Sequence, residues 1–270
     1  MSDRVRRMMW RTGSFELACA ALSAFLLAFL VGPLLAVLLA DPKTAFLSSW
    51  GDSELLAAVG VSLGCSLVAT LFGVLFATPL AYLLERRSFR GKRLVLAVLS
   101  LPLVIPHPVV GIALLLVFAR HRLLGALIEG RLGIEIVGAA PGVIMAMFFV
   151  SVPLIVRSAQ EGFRSVDERL EHAAMSLGAT PWRAFRRVSL PLARPAILSG
   201  AISAFARSVS EFGSIAILAY FPRTAPVLIW DRFNSFGLRG AVPATAFLLL
   251  VTLVLFLLWT LAEERRKRGA

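Results

Sequence analysis

The sequence has few charged residues, only two cysteines and only three histidines. Charged side chains make up 16% of its 270 residues and hydrophobic ones 58%, and the mean hydropathy is +0.82. Soluble domains have about a quarter of their residues charged, so this composition excludes an ordinary soluble domain and indicates a protein solvated by lipid. Cys19 and Cys65 fall in apolar stretches and the histidines are scattered, so the sequence predicts no disulfide, metal site or cofactor.

Motifs for nucleotide binding and catalysis are also missing. The sequence contains no G-x-x-x-x-G-K-[ST] phosphate loop, no dinucleotide-binding glycine pattern, no H-E-x-x-H and no G-x-S-x-G. The chain is therefore not expected to be an enzyme. If it moves a solute uphill, the energy comes from an ion gradient or from a separate ATPase subunit.

Long uncharged stretches are what the sequence has instead. A membrane-spanning helix needs about 20 mostly apolar residues, because lipid cannot satisfy a bare backbone. Six stretches meet this length, and only the fifth contains charges, Arg207 and Glu211. They predict an all-α integral membrane protein, a single domain over residues 1–270, with six transmembrane helices. The predicted spans are 17–40, 55–84, 94–119, 136–156, 195–222 and 240–262.

The basic residues are distributed unevenly between the loops. With the N-terminus inside, the cytoplasmic segments contain 20 Lys and Arg and the outside loops 7. This is the positive-inside pattern, which predicts cytoplasmic N- and C-termini. The net charge of +12 is thereby explained without a nucleic-acid partner. A signal peptide is the alternative for the first span, but its apolar run is too long and lacks a clear cleavage site.

A long polar segment, 157–194, follows the fourth span on the cytoplasmic side. Ser165 and Glu168 form a capping box, which places a helix start there. Gly178 supplies a left-handed C-terminal cap. The pattern predicts a helix over residues 166–177.

A second helix is predicted directly after the glycine. Thr180 caps it and Pro181 occupies its first position, where the missing N–H costs nothing. Pro191 and Pro195 are expected to end it before the fifth span. The segment therefore reads as helix, glycine turn, helix at the membrane surface.

Small residues cluster at the elbow of this segment, where they would let another protein's backbone approach closely. These residues are Ala173, Ala174, Ser176, Gly178 and Ala179. The alternative is an ordinary amphipathic connector that packs its large apolar residues against its own spans. Those residues are Leu170, Leu177, Trp182 and Phe185. The spacing alone leaves both interpretations open.

The run HAAMSLGATPWRAFRRVSLPLARP, residues 172–195, resembles the E-A-A-x-x-x-G-A signature of the transmembrane subunits of ATP-binding-cassette importers. The resemblance implies that this helix is a coupling helix, seated in a groove of the ATPase subunit. The leading Glu of the signature falls at His172, with Glu171 one place earlier. The coupling residues that the resemblance implies are Glu171, His172, Ala173, Ala174, Gly178 and Ala179.

Two further stretches, 100–116 and 205–233, are similar to the molybdate, tungstate and sulfate permeases, and S-E-F-G and P-H within them look most like the molybdate/tungstate branch. The resemblance implies import of a tetrahedral oxyanion across a prokaryotic cell membrane. It also implies a homodimer, two ATPase subunits and an extracytoplasmic oxyanion-binding protein. Molybdate, tungstate and sulfate stay open as substrates.

Arg207 and Glu211 are the only charges inside a predicted span, and charges at that depth are costly unless they are paired or face water. Four residues apart on a helix, they can form a self-neutralised structural pair. The functional interpretation is that Arg207 offers its guanidinium to an oxyanion in the pathway while Glu211 orients it. The hydroxyl donors that could assist are Ser208, Ser210 and Ser214.

His107 lies between Pro106 and Pro108, at an expected break in the third span. A gate residue in the pathway is one interpretation. The other is a histidine that bonds to backbone groups freed by the prolines.

Two other classes of membrane protein are alternatives to an ATP-driven importer. An ion-coupled secondary transporter would use Glu211 as a proton site and predicts inverted repeats, which are not evident. A membrane transferase would need clustered acidic or His residues at the interface, and His107, His121 and His172 are scattered.

Overall fold

The computed structural model describes residues 14–40 and 50–268, and every regular element in those residues is helical. The chain divides into two compact units, of which one comprises residues 53–234 and the other contains residues before and after that stretch. Five helices are long and apolar enough to cross a membrane, and a bent helix pair can supply a sixth span. The predicted all-helical membrane fold is confirmed.

The helices are numbered in chain order. Their bounds are α1 Ser14–Leu39, α2 Ser53–Arg86, α3 Lys92–Ser100, α4 His107–Phe118, α5 Leu123–Leu132, α6 Ala140–Arg164, α7 Glu168–Ser176, α8 Pro181–Ala184, α9 Leu190–Val209, α10 Ile215–Leu218 and α11 Ala225–Arg268.

Helix α6 is the centre of the 53–234 unit and packs mainly on α2 and α9. Small residues let the backbones approach closely, as is usual between helices in lipid. A Cβ added at Gly162 would lie 2.7 Å from Cβ of Ala196, and one added at Gly200 would lie 2.7 Å from Cβ of Ser158. Close packing along these contacts leaves almost no apolar side chain of α6 exposed.

Helix α2 has one apolar exposed side. The large hydrophobic residues on that side are Leu67, Leu71, Phe72, Leu75 and Phe76. Side chains of this kind suit contact with lipid tails or another apolar surface, since neither requires polar partners.

The third predicted span, 94–119, is not one continuous helix. Helix α3 ends at Ser100, a 3₁₀ turn follows over Leu101–Leu103, and the helices on either side of the break are bent by 113°. Pro106 has an extended ψ of 133° and precedes the first residue of α4. A proline disfavours helical geometry in the residue before it and has no N–H to donate, so Pro106 and Pro108 explain the break.

The predicted bounds of the fifth span, 195–222, are wrong at both ends. A continuous helical run extends over Pro181–Val209, so Pro191 and Pro195 lie inside it instead of ending the preceding helix. A π turn at Phe185–Ser189 comes just before Pro191, and the N–H of Leu190 bonds to the carbonyl of Phe185. A π turn is wider than an α turn, which accommodates a proline that lacks the usual hydrogen bond.

The run stops at Val209 because polar side chains bond locally. The hydroxyl of Ser210 donates to the carbonyl of Arg207, and the carboxylate of Glu211 accepts from the backbone N–H of Ser214. Such local bonds compete with helical ones. Only the short helix α10 follows before α11.

The segment 157–194, which is predicted to be cytoplasmic, departs from its predicted structure at one end. Asp167, and not Ser165, caps α7, since its side chain accepts from the N–H of Arg169. Ser165 ends α6 instead and donates to the carbonyl of Gly162. The predicted cap at Gly178 is confirmed by its φ of +90°.

The second helix of this segment starts as predicted. The side chain of Thr180 accepts from the N–H of Arg183, and Pro181 is the first residue of α8.

Two predicted outside loops contain helix. Helix α5 lies within 120–135, and α11 begins at Ala225, inside the predicted loop 223–239. Gly237, with φ 64° and ψ −154°, interrupts α11. Residues 41–49 of the predicted loop 41–54 lie outside the described residues.

Candidate functional site: a paired arginine where two spans break

The break in the third span lies against the end of the fifth. A Cβ added at Gly213 would lie 2.9 Å from Cβ of His107 and 3.1 Å from Cδ of Pro108. One added at Gly111 would lie 2.7 Å from the backbone oxygen of Ser214. An added Cβ would therefore clash at either position. The break in the third span and the end of the fifth can lie this close together because residues 213 and 111 are glycine.

Three ionisable side chains meet at this junction. Nη2 of Arg207 lies 2.9 Å from Oε2 of Glu211 and 2.6 Å from Nε2 of His107, and Nδ1 of His107 lies 2.8 Å from Oε2 of Glu211. A guanidinium only donates hydrogen bonds, and a carboxylate only accepts them. Nη2 of Arg207 also lies 2.9 Å from Nδ1 of His107, so the guanidinium faces both ring nitrogens of that side chain.

Glu211 is enclosed by the protein. Its side chain is 1% exposed, and Oε1 accepts from the N–H of Ser214 at 3.0 Å and from its hydroxyl at 2.7 Å. Both carboxylate oxygens are thus occupied by the chain itself. Glu211 can hold Arg207 in place, and Ser214 faces Glu211 instead of a pathway.

The other two candidate serines differ from each other. Ser208 is fully buried, with its hydroxyl 3.5 Å from the backbone oxygen of Met147. Ser210 is exposed and lies 3.4 Å from Nη1 of Arg207. Of the three hydroxyls, only that of Ser210 lies beside the guanidinium at the surface.

Arg207 and His107 remain partly open to the outside of the chain. Their side chains are 27% and 37% exposed. A guanidinium has five N–H donors, and its contacts with Glu211, His107 and Ser210 use at most three of them. The junction therefore offers a held, partly exposed cation whose remaining donors suit the oxygens of a tetrahedral anion.

Glu171 is buried in its own chain. Its carboxylate accepts from Nε of Arg86 at 2.8 Å and from the hydroxyl of Tyr82 at 2.7 Å. Arg86 also donates to the backbone oxygen of Val166 and lies 3.6 Å from Glu168. The group of Tyr82, Arg86 and Glu171, called here the α2–α7 clamp, fastens α7 to the end of α2.

The clamp changes the acidity of Glu171. Burial, the largest single influence, opposes ionisation, but the nearby Ser189 and Tyr82 hydroxyls and the guanidinium of Arg86 outweigh it, so the pKa of Glu171 lies below its usual value. No local pattern indicates this pair, since Arg86 is interpreted as a topology anchor and is 85 residues away from Glu171.

The elbow of the segment 157–194 is exposed. His172, Ala173 and Gly178 are on the surface, with Ala174 and Ala179 partly covered. Leu177 is 89% exposed and Trp182 67%. The connector interpretation required these two side chains to pack against the chain's own spans, so within this unit it holds only for Phe185, which is buried beside Tyr82 and Phe163.

A metal site is not found in the part of the chain that the structure describes, where no three His, Cys, Asp or Glu residues come together.

Known proteins similar to this chain agree on one family. Residues 69–268 match the family model "Binding-protein-dependent transport system inner membrane component". The molybdate/tungstate transport system permease protein WtpB of Pyrococcus furiosus is 42% identical over 252 residues, 92% of this chain and 96% of that protein. A probable sulfate transport system permease protein of Chlorokybus atmophyticus is 35% identical, over 86% of this chain and 83% of that protein.

Among solved structures, a bacterial ABC transporter for import of the acidic polysaccharide alginate has a chain that superposes with a TM-score of 0.75. It covers 97% of this chain and 99% of its own length at 18% identity. The likeness shows a shared fold.

Proposed function

Because this chain belongs to the family of inner membrane components of binding-protein-dependent transport systems, we propose that it carries molybdate or tungstate through the cell membrane of a prokaryote as the permease subunit of an ATP-driven importer. It is a transport subunit and not an enzyme. Membership in this family argues against a secondary transporter and against a membrane transferase. Relatives named as molybdate/tungstate permeases at 39% and 42% identity support the substrate.

Arg207 is the observation in this chain that carries the proposal. It is a guanidinium at membrane depth, held by a buried carboxylate and still 27% exposed. A purely structural pair would gain nothing from exposure, since contact with lipid is costly for a charge. An anion entering the junction would meet Arg207, His107 and Ser210, and the two oxygens of Glu211 would stay occupied.

The elbow and the α2–α7 clamp support coupling to two ATPase subunits on the cytoplasmic face. Leu177 and Trp182 project from the elbow, beside exposed small residues over which a groove can close. The clamp ties the same helix to α2. A movement of α7 would therefore be transmitted to α2. The continuous helical run Pro181–Val209 connects the elbow to Arg207.

The proposed assembly is a homodimer with an extracytoplasmic oxyanion-binding protein. Two copies would bring two Arg207 junctions to one central pathway, and the apolar side of α2 would face lipid or the second copy. Specificity between oxyanions is expected to lie mostly with the binding protein, because a single guanidinium does not discriminate strongly among tetrahedral dianions.

Sulfate is the second candidate substrate, favoured by the 35% identity to a sulfate permease relative. The test is uptake of labelled molybdate, tungstate and sulfate into proteoliposomes that contain the chain with its ATPase, each with a binding protein for that anion. We expect ATP-dependent uptake of molybdate and tungstate. Uptake of sulfate alone would select the second candidate, and uptake of none of the three would refute the proposal.

A further inference from the structure

Arg157 is a second arginine within a spanning helix, and it is attached to the same broken span as Arg207. It lies in α6, seven residues before that helix ends, and Nη2 donates to the hydroxyl of Ser100 at 2.9 Å. Ser100 is the last residue of α3, and His107 is the first of α4. Arg157 thus bonds to the last residue of the helix before the break, and Arg207 contacts the first residue of the helix after it.

The exposed side of α6 at Arg157 has no apolar character. The exposed residues of α6 are all charged, and they are Arg157, Glu161 and Arg164. They recur at helical spacing, so they share one face. A face of this composition suits water and not lipid tails.

Helix α9 has a polar exposed face that begins near the level of Arg157 and continues towards Arg207. From Ser199 to its end at Val209, the exposed residues of α9 are Ser199, Ser203 and Ala206, and Ser210 follows. The exposed side of α2 has Leu and Phe where α9 has Ser. The contrast separates an apolar surface from one that suits a wet passage.

The contacts of the neighbouring residue, Ser158, fix the level of Arg157 along α9. The hydroxyl of the next residue, Ser158, donates to the backbone oxygen of Ala196 at 2.7 Å, and Gly200 packs against Ser158. Arg157 is therefore level with residues 196–200 of α9. Arg207 follows about 7 to 11 residues later, about 10 to 16 Å further along the helix.

We propose that Arg157 is a second contact point for the transported oxyanion, between the Arg207 junction and the cytoplasm, with the serine face of α9 between the two. The inference rests on the proposed function and deepens it. A solute that must also leave is best served by several weak sites in series. Two guanidiniums separated by hydroxyls provide such a series for a tetrahedral dianion.

Ser100 acts in this arrangement as a positioning residue. Its hydroxyl donates to the backbone oxygen of Leu96 at 2.9 Å and accepts from Arg157. The hydroxyl proton is therefore occupied, and Ser100 holds the guanidinium without competing for the anion. Arg157 itself is exposed, and the bond to Ser100 uses one of its five N–H donors.

A purely structural role for Arg157 makes a different prediction. The cation lies at the C-terminal end of α3, where positive charge stabilises a helix. Lysine would serve that role as well as arginine, and no anion would affect it.

The test is modification of arginines with phenylglyoxal in the full chain, assembled with its ATPase in lipid nanodiscs, followed by peptide mass spectrometry. Tungstate is the probe, and sodium chloride at equal ionic strength is the reference. We expect tungstate to lower labelling of both Arg157 and Arg207 at least threefold. Arg164 is the matched control, because it lies on the same face but is paired with Glu85, and its labelling should not change.

The outcomes separate the two claims. Protection of Arg207 alone overturns the second contact point and leaves the proposed function standing, whereas protection of neither arginine counts against both.

A transport measurement complements the labelling. Arg157→Gln should lower uptake per ATP hydrolysed at least tenfold with assembly intact, and Arg157→Lys should be intermediate. If Arg157→Lys has full uptake activity and tungstate does not lower labelling of Arg157, the arginine only stabilises the C-terminal end of α3.

Discussion

Nη2 of Arg207 lies 2.9 Å from Oε2 of Glu211, although the two residues do not share a helix. Arg207 is in the last turn of α9, and Glu211 follows the end of that helix. The pair therefore lies where helix α9 ends and not on a regular helical face. Its geometry depends on local bonds at Ser210 and Ser214 and on the His107 ring of a different span.

Charge deletions at this pair distinguish a structural cation from one that meets the solute. Arg207→Ala strands a buried carboxylate and should cost about 3 to 5 kcal/mol, measured as loss of assembled complex on heating. Arg207→Ala with Glu211→Gln removes both charges and should recover the fold. If Arg207 contacts the oxyanion, this folded double variant should transport little. Near-normal uptake, normalised to complex, would leave Arg207 a structural partner only.

The glycine at the meeting point of the two breaks should not tolerate a side chain. Gly213→Ala places a Cβ 2.9 Å from Cβ of His107, which should separate His107 from Arg207, lower thermal stability and reduce uptake. Gly130→Ala is the control, since nothing lies within 4 Å of the added Cβ. It lies inside a helix and should be neutral or gain up to about 1 kcal/mol. Equal behaviour of the two variants would contradict the close approach.

The elbow can be tested with two glycines of similar backbone geometry. Gly178 and Gly133 both have positive φ, +90° and +65°, and both have open space around them. Aspartate at either position carries a similar strain, but only Gly178 lies in the proposed coupling segment. We expect Gly178→Asp to abolish co-purification of the ATPase while membrane insertion persists, and Gly133→Asp to retain the ATPase. An ATPase ratio unaffected by Gly178→Asp would show that the elbow does not dock it.

The clamp at Glu171 predicts a pH dependence. A carboxylate whose pKa is lowered on folding stabilises the fold fully above its unfolded pKa, about 4.3, and loses that contribution as the pH falls through the lower folded pKa. Hydrogen-exchange protection of residues 168–176, corrected for intrinsic rates, should thus be constant from pH 8 to about 5 and fall only below about 4.

Two variants serve as comparisons for the clamp. Glu171→Gln should lower protection above about pH 5, because it removes the charge from a buried pair, and the difference from the unaltered chain should shrink as the pH falls below about 4. Glu168→Gln should have little effect, since Glu168 is 58% exposed and 3.6 Å from Arg86. Protection that is lost in both variants equally would argue against Glu171 as the anchor.

The membrane orientation remains a prediction from the basic residues. Reporter fusions after Arg93 and Arg187 should read cytoplasmic, and those after Gly51 and Gly130 should read outside. Opposite results at any two of the four sites would reject the arrangement with both termini inside.

The sequence alone was enough for the fold class, the approximate spans and the local turns. Transfer of apolar side chains into lipid depends on each stretch by itself, which is why helices α1, α2 and α6 cover most of the first, second and fourth predicted spans, although α6 begins only at Ala140 and continues to Arg164. The caps at Gly178 and Thr180 were also readable, since capping involves only near neighbours. The prolines were ambiguous, because Pro106 breaks a span whereas Pro191 and Pro195 are absorbed into one.

Only the tertiary structure decided which polar side chains meet. His107 and Arg207 are 100 residues apart, and Arg86 and Glu171 are 85 apart, so no local pattern connects them. In lipid, the rotation of each helix is set by close packing at small residues such as Gly162 and Gly200, and hydrophobicity does not specify it. The sequence therefore determined that the helices span the membrane, and packing determined that Glu171 turns inward and that Arg207 meets a broken helix.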